Sequence, residues 1–267
     1  MNEYWVHNID PIALEIGIFK IRWYGIAYAL GFIFAWKYGM WLAAHYGSKL
    51  KADHIDKFLT YAVLGVIIGG RLGQVILYYP GYYFSNPAQI FMIWQGGMSF
   101  HGGLVGVLAA SYLFCRRYQL RFFDLTDNLA VTAPFGLMLG RIANFINGEH
   151  AGRVTDMKFA VIFPNISPDP RHPSQLYEAG LEGLLTFIIL LIAAKWGSFK
   201  HAGLNSGLFL CCYAISRIIV ELFRDPEIMH PFFPQYLTYG MLLSLPMLGA
   251  GLLMGAWGIS KAKKHKA

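Results

Sequence analysis

The side chains with chemical potential in this chain are cations and histidines set among apolar residues. Arg141 lies in Leu139-Gly140-Arg141-Ile142-Ala143-Asn144-Phe145-Ile146-Asn147-Gly148-Glu149, and a spacing of three puts Arg141 and Asn144 on one helix face. A planar guanidinium beside an amide suits the grip on a phosphodiester, although helix carbonyls or an acidic neighbour would also satisfy such an arginine. Arg217 and Glu221 are four apart, with Arg224 three further on. That pair either neutralises itself, or Glu221 orients Arg217 while the remaining donors meet a ligand. Arg71 follows Gly69-Gly70, which admits a second backbone or a lipid head group, and ranks behind the other two. His101 sits between glycines in Gly96-Gly97-Met98-Ser99-Phe100-His101-Gly102-Gly103, an arrangement for close approach of a ligand or a helix. His172 lies in Arg171-His172-Pro173-Ser174-Gln175-Leu176-Tyr177-Glu178, where Pro173-Ser174 also reads as a helix start. Either histidine can move a proton near neutral pH or serve only as a hydrogen-bonding residue.

The chain has no His-Glu-x-x-His, no paired Cys-x-x-Cys, no Walker loop and no Gly-x-Ser-x-Gly elbow. Cys115, Cys211 and Cys212 lack metal-ligand spacing and read as inert thiols. Cations, amides, tyrosines and a histidine remain, a set that suits displacement of a phosphate-bearing leaving group from a lipid.

Membrane-spanning helices are expected to carry these groups. Of the 267 residues, 56% are hydrophobic and 14% charged, against roughly a quarter charged in an ordinary soluble domain. Apolar runs of spanning length fall near 23–44, 58–79, 98–115, 124–146, 176–194, 204–223 and 236–258. The expectation is an all-α polytopic integral membrane protein of about seven transmembrane helices, a single membrane domain over 1–267. The first residues do not read as a cleavable signal peptide, since Glu3, Asp10 and Glu15 interrupt them. Under this arrangement twelve of the 22 Lys and Arg fall on one side, among them Lys49, Arg116, Arg121, Lys195 and Lys266, and six on the other. The basic side belongs in the cytoplasm, so the N-terminus is outside and the C-terminus inside. The net charge of +7 is then topology, with some attraction to anionic membrane lipids, and not a nucleic-acid footprint. Residues 147–175, with Pro164, Pro168, Pro170 and Pro173, form a small external head inserted in the membrane domain. Residues 1–20 and 80–96 suit segments lying at the interface. An Arg at the bilayer centre costs roughly 2.5–3.5 kcal/mol, so Arg71, Arg141 and Arg217 must face the protein interior or a ligand. Lys37 can snorkel.

Taken together, these stretches form a pattern. Arg22-Trp23-Tyr24-Gly25, Gly69-Gly70-Arg71, Gly96 to Gly103, Gly140 to Glu149, Arg171 to Glu178 and Arg217 to Arg224 closely resemble the prolipoprotein diacylglyceryl transferases of bacterial inner membranes, in the same order. The resemblance implies transfer of a diacylglyceryl group from phosphatidylglycerol to the lipobox cysteine thiol of a preprolipoprotein signal peptide, forming a thioether and releasing glycerol phosphate. It implies no metal or organic cofactor, and an inner-membrane protein whose site faces the periplasm beneath a periplasmic head. It assigns Arg141 and Arg217 to the phosphoglycerol head and Asn144 to hydrogen bonding with it. Glu149 and Gly152 come from the same run, Tyr24 from the first span, and Glu221 is the acidic partner of Arg217. Arg71 and Arg224 fall within matching stretches. His101 matches a residue proposed to take the thiol proton, with His172 a rival. The segment between Gly152 and Arg171 is short for the family.

Two other classes compete with the transferase. One is an anionic-lipid transporter or flippase using the same arginines, although no internal repeat is visible. The other is a noncatalytic scaffold whose charges pair among themselves; it is disfavoured by an excess of intramembrane cations over acidic partners.

Overall fold

The computed structural model describes residues 4–17, 19–46, 50–225 and 237–264. Glu3, Lys49 and Lys266, and the first residue of the 236–258 run, lie outside the described residues. Each of the seven apolar runs forms helix. They correspond to α1 (Trp23–Tyr46), α2 (Ala52–Gly73, prolonged by a π turn over Gln74–Tyr78), α4 (Phe100–Arg117), α5 (Phe122–Ile146), α6 (Ser174–Glu178) continuing into α7 (Thr186–Lys195), α8 (Leu204–Glu221) and α9 (Tyr239–Lys264). A short α3 (Pro80–Ser85) lies between the second and third. Six of the seven are long and apolar enough to cross a membrane, so the protein is a helical, multi-pass membrane protein. The exception is α4, 18 residues long, in which His101, three glycines and the terminal Arg116-Arg117 dilute the apolar content.

The chain divides into two compact units, residues 40–126 and residues 1–39 with 127–267. In the 40–126 unit, α2 packs along α4 through facing glycines. A Cβ on Gly65 would meet the Gly106 carbonyl carbon at 3.0 Å, and one on Gly73 would meet Gly102 Cα at 2.7 Å. Lipid tails are as apolar as leucine, so such helices associate by close packing, which small residues at four-residue spacing allow. The glycines beside His101 thus serve a helix contact. Farther along the same pair, Phe114 is fully buried against Phe58 and Tyr61.

In the other unit, Phe34 of α1 stacks on Phe135 of α5, with ring centroids 4.0 Å apart, and Asn128 donates to the Gly39 carbonyl at 3.0 Å. Helix α8 begins after Gly203 and has no side-chain cap of its own. Asp127, from α5, takes that role: its carboxylate accepts the Gly203 and Ser206 amides at 2.7 and 2.8 Å and the Ser206 hydroxyl at 2.8 Å. An anion at a helix N-terminus satisfies free N–H groups and the helix dipole. Here it also sets the height of α8 relative to α5, and so of Arg217 relative to Arg141.

The polar segments of this unit carry two small sheets. Strands β2 (Ile12–Ile16) and β3 (Phe19–Arg22) pair antiparallel just before α1. Strand β1 (Trp5–Val6) runs parallel to β4 (Val161–Ile162), which pairs antiparallel with β5 (Pro170–Arg171). Behind them Phe163, Val161 and Ala151 are buried with Phe145, and His7 stacks on Phe163 at 5.3 Å.

Candidate functional site

The site is built from three helices of the larger unit. Arg141 comes from α5, Arg217 from α8, and Arg224 from just beyond its end; Glu178 and Glu182 come from the α6–α7 rod. The rod is wound as a π-helix over Ala179–Leu185. Such wide turns are rare and collect at functional sites. Gly183, inside this turn, faces Met138 of α5 so closely that a Cβ would lie 2.7 Å from Met138 Cα. The glycine therefore lets the rod approach α5 one turn before Arg141.

Glu178 is the hub. Its Oε1 accepts Arg217 Nη1 at 2.7 Å and Arg224 Nη1 at 2.5 Å, and its Oε2 lies 3.3 Å from Arg141 Nη1. Glu182 Oε2 accepts Arg141 Nη2 at 3.2 Å, and its Oε1 is 3.6 Å from Arg217 Nη1. Glu221 Oε1 pairs with Arg217 Nη2 at 2.5 Å and lies 3.6 Å from Arg224 Nε. Tyr213, on α8, lies within electrostatic reach of Arg141 and Glu182. Both Glu178 and Glu182 side chains are 0% exposed, whereas those of Arg141, Arg217 and Arg224 are 22%, 17% and 12% exposed. The carboxylates form a dry floor and the guanidiniums reach past it. Glu178 Oε2 and Glu182 Oε1 have ion-pair neighbours but no hydrogen-bond donor at bonding geometry among the described residues. Behind Glu221, Gly240 of α9 leaves the carboxylate the space a Cβ would fill.

This arrangement corrects the charge balance expected from sequence. The three arginines face three carboxylates, so the described cluster contains no surplus of cations. Glu178, Glu182 and Tyr213 were missed as site residues. The signal for Glu182 was present: Glu178 and Glu182 are four apart in an apolar run, hence on one side of a helix.

The Asn144–Glu149 turn adjoins the cluster in sequence. Asn144 Nδ2 donates to Glu149 Oε1 at 2.7 Å, Asn147 adds a longer bond at 3.4 Å, and Gln175 donates to the Glu149 carbonyl at 2.6 Å. The Tyr24 ring packs at a tilt against Tyr28, 5.1 Å between centroids, and Tyr28 is within electrostatic reach of Arg141 and Glu149. Gly152 closes one end of the site. Its amide donates to the His172 carbonyl at 2.8 Å, and a Cβ there would meet the Phe223 carbonyl and lie 2.8 Å from His172 Cβ. Arg153 continues the seam, donating to the Arg224 carbonyl at 2.7 Å. Arg171 ties the same loops, reaching Asp225 at 2.7 Å and the Gly152 carbonyl at 3.0 Å. His172 Nδ1 is 3.2 Å from the Tyr177 hydroxyl, and its ring packs on Phe223 at 5.2 Å. Burial pushes its imidazole below the usual histidine range, which favours the neutral, proton-accepting form.

Two candidates belong to the 40–126 unit. His101 is exposed in the first turn of α4, its ring edge-on to Phe100 at 5.7 Å. Arg71 is 5% exposed and wrapped by the 80–97 segment. It donates to the carbonyls of Ile90 at 2.8 Å, Gly96 at 2.7 Å, Gly97 at 3.0 Å and Met92 at 3.3 Å, and to that of Gln89. Its guanidinium lies 5.0 Å from the Tyr83 ring. Of the two partners its glycines could admit, it meets backbone here. Lys37 lies over the Trp36 ring at 3.8 Å, outside the cluster.

A family model described as prolipoprotein diacylglyceryl transferase matches residues 11–257. The chain is 50% identical over 245 residues to the phosphatidylglycerol--prolipoprotein diacylglyceryl transferase of Rickettsia canadensis (strain McKiel), covering 91% of this chain and 95% of that protein. Its counterpart in Rickettsia felis (strain ATCC VR-1525 / URRWXCal2) matches with the same identity and coverage. That of Rickettsia bellii (strain OSU 85-389) is 47% identical over 248 residues, covering 92% and 94%.

Proposed function

The chain belongs to the prolipoprotein diacylglyceryl transferase family, and from that premise we propose that it moves the diacylglyceryl group of phosphatidylglycerol onto the lipobox cysteine of preprolipoproteins. The products are a thioether-linked lipid and glycerol phosphate, and the step opens lipoprotein maturation. The observation that carries the reading is identity at the 50% level over nearly the whole of proteins named for this transfer. The arginine cluster supplies matching chemistry inside apolar helices.

In the proposed reaction the phosphate of the lipid meets Arg141 and Arg217, with Arg224 behind them. Asn144, oriented by Glu149, and Tyr24 flank the head group. Glu221 orients Arg217, and Gly152 lets the head loop seat against the end of α8. Arg71 contributes by shaping the 80–97 segment. The acceptor thiol gives its proton to a histidine, because the thiolate is the nucleophile. It attacks the glycerol carbon bonded to the phosphate oxygen; the carbon–sulfur bond forms as the carbon–oxygen bond breaks, and the electron pair leaves with glycerol phosphate. The arginines accelerate the step to the extent that their directed N–H donors bond the departing oxygen better than they bond the ester oxygen of the bound diester. His101 and His172 are the two acceptors for the thiol proton. The one whose replacement removes the acid limb of the pH–rate profile is the base.

In the same proposal α4 is the seventh span, the N-terminus is outside and the C-terminus inside. Residues 147–175 form a periplasmic head on a single inner-membrane domain. No cofactor takes part. The test is reconstitution of the purified protein in phosphatidylglycerol vesicles with a lipobox peptide. A diacylglyceryl mass gain on the cysteine with equimolar glycerol phosphate is expected. Folded protein that yields no adduct with several peptides, yet moves labelled lipid across the bilayer, would replace this reading with lipid transport.

A further inference from the structure

The carboxylate floor raises a question that lipid binding alone does not answer. A site that must grip an anion is normally left with uncompensated positive charge, yet here each arginine meets a buried acid. Arg141, Arg217 and Arg224 are opposed by Glu178, Glu182 and Glu221, with ion-pair distances from 2.5 to 3.6 Å. Of these acids Glu182 alone lies deep in the π turn, with one oxygen on Arg141 and the other aimed at Arg217 without a bonding donor among the described residues.

The reaction proposed above changes the charge of the ligand. The lipid phosphate is a diester with one negative charge, while the departing glycerol phosphate is a monoester approaching two, its second pKa being about 6. In a dry site an attraction that grows with ligand charge would hold the product more tightly than the substrate and delay its release. A carboxylate beside each guanidinium opposes this. It lowers the local positive potential while leaving the directed N–H donors in place, and those donors recognise phosphate by geometry.

We propose that Glu182 is a positioning residue that sets the charge of the arginine cluster so that the doubly charged product is released. It rests on the transferase reading, and it makes two separable statements. The charge of Glu182 weakens product binding, and its reach to Arg141 orients that guanidinium for the transition state.

The experiment measures initial rates in mixed micelles of phosphatidylglycerol and a lipobox peptide, with glycerol phosphate added as product inhibitor. Glu182→Gln removes the charge at nearly constant shape. Its inhibition constant for glycerol phosphate is expected to fall about tenfold, together with a lower kcat and a KM for phosphatidylglycerol that does not rise. Glu182→Asp keeps the charge and withdraws it by one methylene, so kcat falls while the inhibition constant stays within about twofold of wild type. A glutamine variant inhibited no more strongly than wild type overturns the proposal, as does an aspartate variant that tightens as glutamine does. A purely structural role for Glu182 would reduce folded yield without tightening the product. Wild-type protein provides a second arm that does not depend on a variant folding. At pH 8, inhibition by glycerol phosphate and by its singly charged methyl diester should agree within about fivefold if the cluster is balanced. A preference of about fiftyfold or more for the dianion means surplus positive charge and rejects the idea. Failure of the wild type to form any adduct would reject the transferase reading itself, and is distinguishable from both results.

Discussion

Replacing Arg217 with lysine separates the charge of the cluster from its geometry. The native guanidinium spans two helices: Nη1 meets Glu178 on the α6–α7 rod at 2.7 Å and Nη2 meets Glu221 on its own helix at 2.5 Å. A lysine ammonium is a point charge without the planar fork and keeps one of these contacts. The side chain is 17% exposed and its partners are 0% and 4% exposed, so water replaces the lost contact poorly. A hydrogen bond to a charged group contributes roughly 1.5–3 kcal/mol, and a buried carboxylate left short of a donor sits at the upper end. Losing one such bond should therefore cost about 2–3 kcal/mol, or about 30- to 150-fold in kcat/KM if the fork is required as charge leaves. The assay is adduct formation followed by mass, normalised to the monodisperse fraction in detergent, with a thermal melt in parallel. A folded Arg217→Lys variant within threefold of wild-type kcat/KM would mean that positive charge at this place is sufficient and that the fork is not required.

Three further outcomes follow from other contacts. Arg141→Ala should remain folded and lose turnover by about a thousandfold, the scale of removing a main donor to developing charge; near wild-type rates in the peptide assay would sink its assignment. Gly106→Val should destabilise the 40–126 unit by at least about 2 kcal/mol, since even a Cβ there would lie 2.9 Å from Gly69 Cα; an unchanged melting curve and unchanged protease resistance would contradict the backbone contact. His172, held below the usual histidine range by burial, takes up its proton more readily in the unfolded chain. Its contribution is therefore intact above about pH 6.5 and is lost as pH falls from there toward the folded value. Melting temperatures between pH 7.5 and 5 should show a smaller acid-side decline in His172→Gln than in wild type.

Most of the architecture was legible in sequence because the bilayer leaves few choices. Every backbone polar group in hydrocarbon must be satisfied internally, so long apolar runs become helices. The seven runs did so, with α2 beginning six residues earlier than its apolar core, where Lys51 to Lys57 extend the helix beyond the apolar stretch. Hydropathy was less informative for α4, because its glycines answer to contact with α2 and not to lipid. Arg141, Arg217 and Glu221 stood out as charges inside apolar runs, with Arg224 just past the end of one, and the four do converge. The opposing floor was less visible. Glu178 read as the end of a helix-start motif, and the four-residue spacing to Glu182 becomes meaningful only once a π turn and Gly183 bring that face against α5.

The amino-acid sequence alone determined which residues could not be left to lipid, where the chain crosses between polar and apolar surroundings, and which family it resembles. All three follow from local composition and spacing, because the cost of a charge in hydrocarbon is felt residue by residue. The tertiary structure decided which charge meets which. Whether Arg141 and Arg217 share acids on a third helix depends on the height of α8 set by Asp127, on the approach allowed by Gly183 and on the widened turn between Glu178 and Glu182. Those are relations between elements distant in sequence. An ion pair that changes by an ångström changes its energy and its donors, so the balance of the cluster exists only at the level of packed helices.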